Sequence, residues 1–245
     1  MNKSLCFSTE EFSIICHAYH ITELVCFKQQ TTPIVEDEAM AKQYHQSLFQ
    51  LCKKGYLHVT EAGFQVSEEV KSIFSTLKNC DTVITIVCKE GTVPGFCLYF
   101  SGNSDAVVMR EGSRKGEYVK AELLRKEDIA EFIKNSGILM EESIGNDLIN
   151  NDKEYEIVGE RLQEFLQYGD LETAEILCDM PEFVSMLRVQ NPVTAFRLCY
   201  IALIKQPVQD RIIVVNEKEI QVFGYSENKV MELLQKMWEE ENDIS

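Results

Sequence analysis

Four histidines and nine cysteines are the residues of this chain best suited to hold a metal ion or to attack a substrate. Cys16-His17-x-x-His20 brings three of them together. Cys16 and His20 stand one helical turn apart, close enough to share a metal ion. Against this, Phe12, Ile15, Cys16 and Tyr19 fall at i, i+3, i+4 and i+7, a single core-facing stripe. Cys16 is therefore read as a core residue flanked by surface histidines. No second ligand pair stands near it in sequence, and there is no CxxC. A nucleophile elbow fares no better. Gly102-Asn103-Ser104 opens like one, but position 106 is alanine, and a hairpin turn explains the stretch. Neither a phosphate-binding Gly-Lys-Ser/Thr loop nor a dinucleotide fingerprint is found. The carboxylate runs Glu36-Asp37-Glu38, Glu141-Glu142 and Glu239-Glu240-Glu241 have no companion histidine or cation for proton transfer, and read as solvated surface. No catalytic residue, cofactor-binding residue or metal ligand is assigned.

Two stretches have chemistry suited to a macromolecular partner. Leu51-Cys52-Lys53-Lys54-Gly55-Tyr56-Leu57 joins a helix to a hairpin, as in a winged-helix ending. Lys42, Lys53 and Lys54 are its cations, with Glu36-Asp37-Glu38 just before it. A DNA reader needs a basic recognition helix, and the hairpin here carries Glu61 and no Lys or Arg. A structural or protein-binding role fits this segment better. The other stretch is the most cationic of the chain: Arg110, Arg114, Lys115, Lys120, Arg125 and Lys126 within 17 residues of sequence. It reads either as a solvated turn or as a loop that contacts a partner.

The whole chain bounds these readings. With 245 residues, 45% apolar and 26% charged, it is long enough for one large domain or two small ones. Forty acidic residues against 24 basic give a net charge of -16, a field that repels a phosphate backbone and favours basic or neutral partners. The odd number of cysteines, most of them in apolar runs, suits a reducing compartment. The first ten residues lack the apolar core of a secretory leader, and no apolar run is long enough to span a bilayer. A cytoplasmic location is expected.

The elements that must position these residues follow from periodicity. Ser8 and Glu11 form a capping box at the start of the first helix. A loop over 29–38 contains Pro33. A second helix over 39–54 turns Tyr44, Leu48, Leu51 and Cys52 inward and stops at Gly55. Strands over 56–59 and 64–66 form a short hairpin. Ser67 caps a third helix with Val70, Ile73, Phe74 and Leu77 on its buried face. Strands over 83–88, 96–100, 106–110 and 118–123 make a meander with glycine-containing turns. A helix over 126–135 follows, with Ile129, Phe132 and Ile133 inward. Residues 136–153 are polar and read as a linker between an N-terminal half (1–135) and a C-terminal half (154–245). That half is expected to hold helices over 154–167 and 171–180, strands over 192–204, 211–215 and 220–223, and a final helix capped by Ser226. The stretch 192–204 also admits a helical reading. The final helix would bury Val230, Leu233, Leu234 and Met237. Strand, tight turn, strand and helix occur at 106–133 and again at 211–238, which suggests two related halves. The expected fold is α+β: an antiparallel sheet packed with helices, in two quasi-repeated halves, with a winged-helix-like segment near the N-terminus.

This layout resembles the EspG family, the chaperones of type VII secretion. The matching features are the opening helix at Phe7-Ser8-Thr9-Glu10-Glu11-Phe12, the 51–57 stretch with its hairpin, the helix capped by Ser67, the meander, and the second strand-turn-strand-helix copy. The resemblance implies a cytosolic protein that binds the apolar tip of a helical-hairpin substrate, keeps it soluble and delivers it for export. It places partner contacts on the meander loops at Gly102, Asn103, Ser104 and Asp105 and at 112–116, beside Arg110, Arg114, Lys115 and Lys120 of the basic stretch. No family binding residue matches by identity. The competing reading is a winged-helix transcription regulator with an α+β sensor domain, dimeric and basic at Lys42, Lys53 and Lys54. A third is an enzyme of unrecognised type, which would need a deep polar pocket.

Overall fold

A computed structural model describes residues 4–24, 38–88, 95–102, 105–111, 118–140, 183–190, 198–205, 210–215 and 220–242. The helices expected over 154–167 and 171–180 lie outside these residues, as do 29–37, 141–153 and 192–197. The elements in chain order are β1 (Leu5–Ser8), α1 (Thr9–Ala18), α2 (Glu38–Lys53), β2 (Leu57–Thr60), β3 (Gly63–Val66), α3 (Glu68–Lys78) and β4 (Thr82–Cys88). Then come β5 (Phe96–Phe100), β6 (Ala106–Glu111), β7 (Tyr118–Leu124), a 3-10 turn at Lys126–Asp128 and α4 (Ile129–Asn135). The last are β8 (Phe183–Gln190), β9 (Leu198–Ile204), β10 (Arg211–Val215), β11 (Ile220–Gly224) and α5 (Glu227–Asn242). Four strands and a helix thus follow one another twice in chain order, β4 to β7 with α4 and β8 to β11 with α5. This is the α+β repeat that the sequence suggests.

The chain divides into two compact units, one of Met1–Asp81 with Cys97–Lys126, the other of Thr82–Phe96 with Glu127–Ser245. Strands of the first unit run β1-β7-β6-β5, and those of the second run β4-β8-β9-β10-β11. The described pairings within each are antiparallel. β2 and β3 pair separately as a two-stranded hairpin.

In the first unit, β1 alternates between buried Leu5 and Phe7 and half-exposed Cys6 and Ser8. It joins the edge of the meander by pairing Leu5 with Ala121 and Phe7 with Val119. Four residues are too few to register as a strand in sequence, where Phe7 and Ser8 read as the opening of the first helix. The capping box is present as expected: Ser8 N–H donates to Glu11 Oε2 at 2.7 Å, and Glu11 N–H donates to Ser8 Oγ at 3.2 Å. Phe7 then anchors an aromatic cluster, with ring centroids 4.9 Å from Tyr56, 5.7 Å from Phe74 and 6.0 Å from Phe12. Rings at these separations bury large apolar area and gain from edge-to-face geometry. Gly55 ends α2 with φ of 73°, where a side chain would be strained. The α2 face corrects one expectation. Tyr44 is exposed, and among the helix's described side chains the buried ones are Ser47 and Leu51.

In the second unit, β4 pairs with β8 from Val83↔Gln190 to Cys88↔Ser185. Gly95 sits where an added Cβ would lie 2.8 Å from the Ile86 carbonyl oxygen. Ser226 Oγ accepts from Lys229 N–H at 3.1 Å and caps α5, whose Val230, Leu233 and Leu234 are buried. Phe132 of α4 is half-buried, with its ring edge-to-face on Phe96 at 5.4 Å. The first described residues after α4 are held by hydrogen bonds: Ile138 C=O accepts from Ser185 Oγ at 2.8 Å, and Met140 C=O from Tyr225 Oη at 2.8 Å.

Candidate partner-binding surface

The turn after β5 is built by two carboxylates. Gly102 has φ of 59° and donates its N–H to Asp81 Oδ2 at 2.6 Å. Asp81 N–H in turn donates to Phe100 C=O at 3.0 Å. Asp105 Oδ1 accepts from Lys126 N–H at 3.2 Å, just where the chain leaves β7 for its 3-10 turn. Short polar side chains that bond neighbouring backbone in this way favour turns. Gly102 and Asp105 therefore shape the turn whatever else it does. Asn103, Ser104, Arg114 and Lys115 lie outside the described residues.

Arg110 and Lys120 are brought together. β6 and β7 pair with Arg110 directly opposite Lys120, and both side chains are exposed. Tyr118, two residues before Lys120 and hence on the same side of β7, is exposed as well. The sequence placed the two cations in one stretch. Their exact opposition needed the register, which the turn length alone leaves open.

A second feature was not legible beforehand. An open groove of about 1660 Å³ runs between the start of α1 and α2. Its lining includes Glu10, Glu38, Lys42, His45, Phe49 and Tyr118. Its floor is fixed by Glu11, which is only 3% exposed. Lys54 Nζ donates to Glu11 Oε2 at 2.5 Å and to Cys6 C=O at 3.0 Å. Tyr56 Oη accepts from Cys6 N–H at 3.0 Å. Lys54 is thus committed to the fold, which removes one of the three lysines that a DNA-reading face would use. Gln43 Nε2 also reaches across, to Glu10 Oε1 at 3.3 Å.

A third feature is the β2–β3 hairpin. Leu57↔Val66 and Val59↔Phe64 are cross-strand pairs on one face, by the alternation of the strands. Leu57 is buried, but Val59 is 74% and Phe64 58% exposed, so the apolar face continues past the core into solvent. On α2, Phe49 is 66% exposed.

Reactive chemistry is sparse among the described residues. Burial pushes the Cys16 thiol up to about 12, so it is neither a thiolate nucleophile nor a ready metal ligand near neutral pH. His17 and His20 are exposed beside it. Among the described residues no group of three His, Cys, Asp or Glu is placed to hold a metal ion, and no helix is long and apolar enough to cross a membrane.

No family model and no curated protein matches the chain by sequence. Among solved structures, it is similar to the chaperone EspG5 of Mycobacterium tuberculosis, solved in complex with the PE25-PPE41 dimer. Identity is 12%, the TM-score is 0.56, and the likeness covers 93% of each chain. Identity this low speaks for the backbone and leaves the side chains to be argued on their own. The chain shares its fold with the type VII secretion chaperone EspG5.

Proposed function

We propose that this protein is a cytosolic chaperone or adaptor for a helical-hairpin protein exported by type VII secretion, and that it has no catalytic site. The observation that carries this reading is a likeness spanning 93% of both chains to a chaperone solved with its protein dimer. The exposed apolar pair Val59 and Phe64 supports it, because uncovered apolar surface on a folded protein commonly marks a binding site. The acidic net charge of -16 suits a protein that must keep an apolar client dispersed. Contacts are assigned to the turns at 102–105 and 112–116, with Gly102, Asn103, Ser104, Asp105, Arg110, Arg114, Lys115 and Lys120.

The test is affinity capture of the tagged chain from its native cell, with the eluate analysed by mass spectrometry. A small helical protein in near-stoichiometric amount, lost when both turns are replaced, is the expected result. DNA or nucleoid proteins in its place would replace this reading with the winged-helix regulator. The chain eluting alone would remove both.

A further inference from the structure

We propose that the groove between the start of α1 and α2 docks a basic amphipathic helix of a protein partner. This goes beyond the chaperone reading and does not depend on it, since the described lining includes none of the residues assigned to client contacts. Size narrows the occupant first. Pockets for small molecules hold about 300–1,000 Å³, whereas this groove is open and holds about 1660 Å³. A helix about 10–12 Å across fills roughly 400–600 Å³ per turn, so the space matches about three turns of one. Phe49 and Tyr118, both exposed, supply apolar footing there. Aromatic side chains are among those on which binding energy tends to concentrate.

Charge then sets the sign of that helix. The described lining holds three carboxylates, Glu10, Glu11 and Glu38, against two lysines, Lys42 and Lys54. Lys54 is held by Glu11. Glu10 takes its hydrogen bonds from neutral groups, Ser8 Oγ at 2.9 Å and Gln43 Nε2 at 3.3 Å, so no cation pairs with it among the described residues. Glu38 and Lys42 form no ion pair among the described residues either. Two carboxylates therefore stand against one lysine. A helix with Lys or Arg beside apolar residues answers both the carboxylates and the two rings. A phosphate backbone is a poor occupant, because the groove adds its own carboxylates to the repulsion of a chain of net charge -16.

The test uses the full chain and fluorescein-labelled peptides of about 18 residues, long enough to form a helix on docking. Binding is read by anisotropy, with thermal melts alongside. One peptide sets leucine and lysine at helical spacing, a second has the same composition in scrambled order, and a third has glutamate in place of lysine. The first should bind saturably and about tenfold more tightly than either of the others. Phe49→Ser should weaken it about tenfold, and Glu10→Gln with Glu38→Gln about three- to tenfold. Each variant should keep Tm within about 3 °C of the parent, because none of these side chains is buried. The inference is overturned if the first peptide does not bind the parent, if the scrambled or the glutamate peptide binds as tightly, if Phe49→Ser binds like the parent, or if labelled double-stranded DNA binds the parent more tightly. Should the parent ignore the peptide yet still capture a helical protein through the turns, this inference falls and the chaperone reading stands. Peptide binding without any helical protein captured would be the reverse.

Discussion

Glu11 shows how one side chain can serve two ends of a unit. It closes the capping box of α1 and also receives Lys54 from beyond the end of α2. Removing one partner of a buried pair leaves the other charge uncompensated, and this costs more than the pair itself contributes. Lys54→Met should therefore lower stability by about 3 kcal/mol in urea unfolding. Lys54 is about a third exposed, which places the effect at the lower end of that range. Cys16 gives a second prediction. Its thiol is pushed from 9.0 up to about 12 by burial. The folded state therefore holds this proton more tightly than the unfolded state. Its contribution is fully present below pH 9 and is lost as pH rises from about 9 towards 12. Unfolding free energy of the Cys16→Ala variant, followed over that window, should fall less steeply than that of the parent. At pH 8, Cys16 should resist alkylation until denaturant unfolds the chain.

Among the elements, β1 and the hairpin show two ways of treating an exposed strand. The outer edge of β1 is closed by side chains, since Cys6 N–H goes to Tyr56 and Cys6 C=O to Lys54. An edge occupied in this way is a poor template for a foreign strand. Tyr56→Phe reopens one donor and should cost about 1–2 kcal/mol. Thermal or urea melts measure that loss. The hairpin is left open instead. Val59→Ser with Phe64→Ser should change stability by less than about 1 kcal/mol, because neither side chain is buried, while lowering capture of the partner. A parent-like capture would assign the hairpin to the fold alone. Much of this element layout was legible in sequence. The capping box of α1, the meander and the α3 stripe of Val70, Ile73, Phe74 and Leu77 announce themselves locally. β8 did not, and its residues explain why. Its inward positions are Ser185, Leu187 and Val189, and a serine there breaks the apolar alternation. Ser185 is buried only because its hydroxyl reaches Ile138 C=O. The groove between α1 and α2 was equally hidden, since it depends on Lys54 meeting Glu11, 43 residues away in sequence.

For the molecule as a whole, charge is the property that sequence states most plainly and structure refines most. The total of -16 comes from composition, but the placing of Arg110 opposite Lys120 comes from register. Binding steered by such a patch should weaken as salt rises, because exposed charges are screened over about 8 Å at physiological ionic strength. Binding through Val59 and Phe64 should be insensitive or strengthen. A salt titration of the captured complex therefore separates the two surfaces. Loss of the complex between low and moderate salt would assign its formation to Arg110 and Lys120. The fold likeness to EspG5 reaches over nearly the whole chain, so what this chain binds is left to its own side chains.

The pairing of β1 with β7 also sets a timetable for synthesis. Leu5 is made 116 residues before its partner Ala121. At ordinary elongation rates the gap is roughly 6–23 s. Through that interval Phe7 has no β7 to lie beside, and the nascent chain carries an unpaired apolar strand. The strand made earliest in its unit is thus among the last of it to be placed.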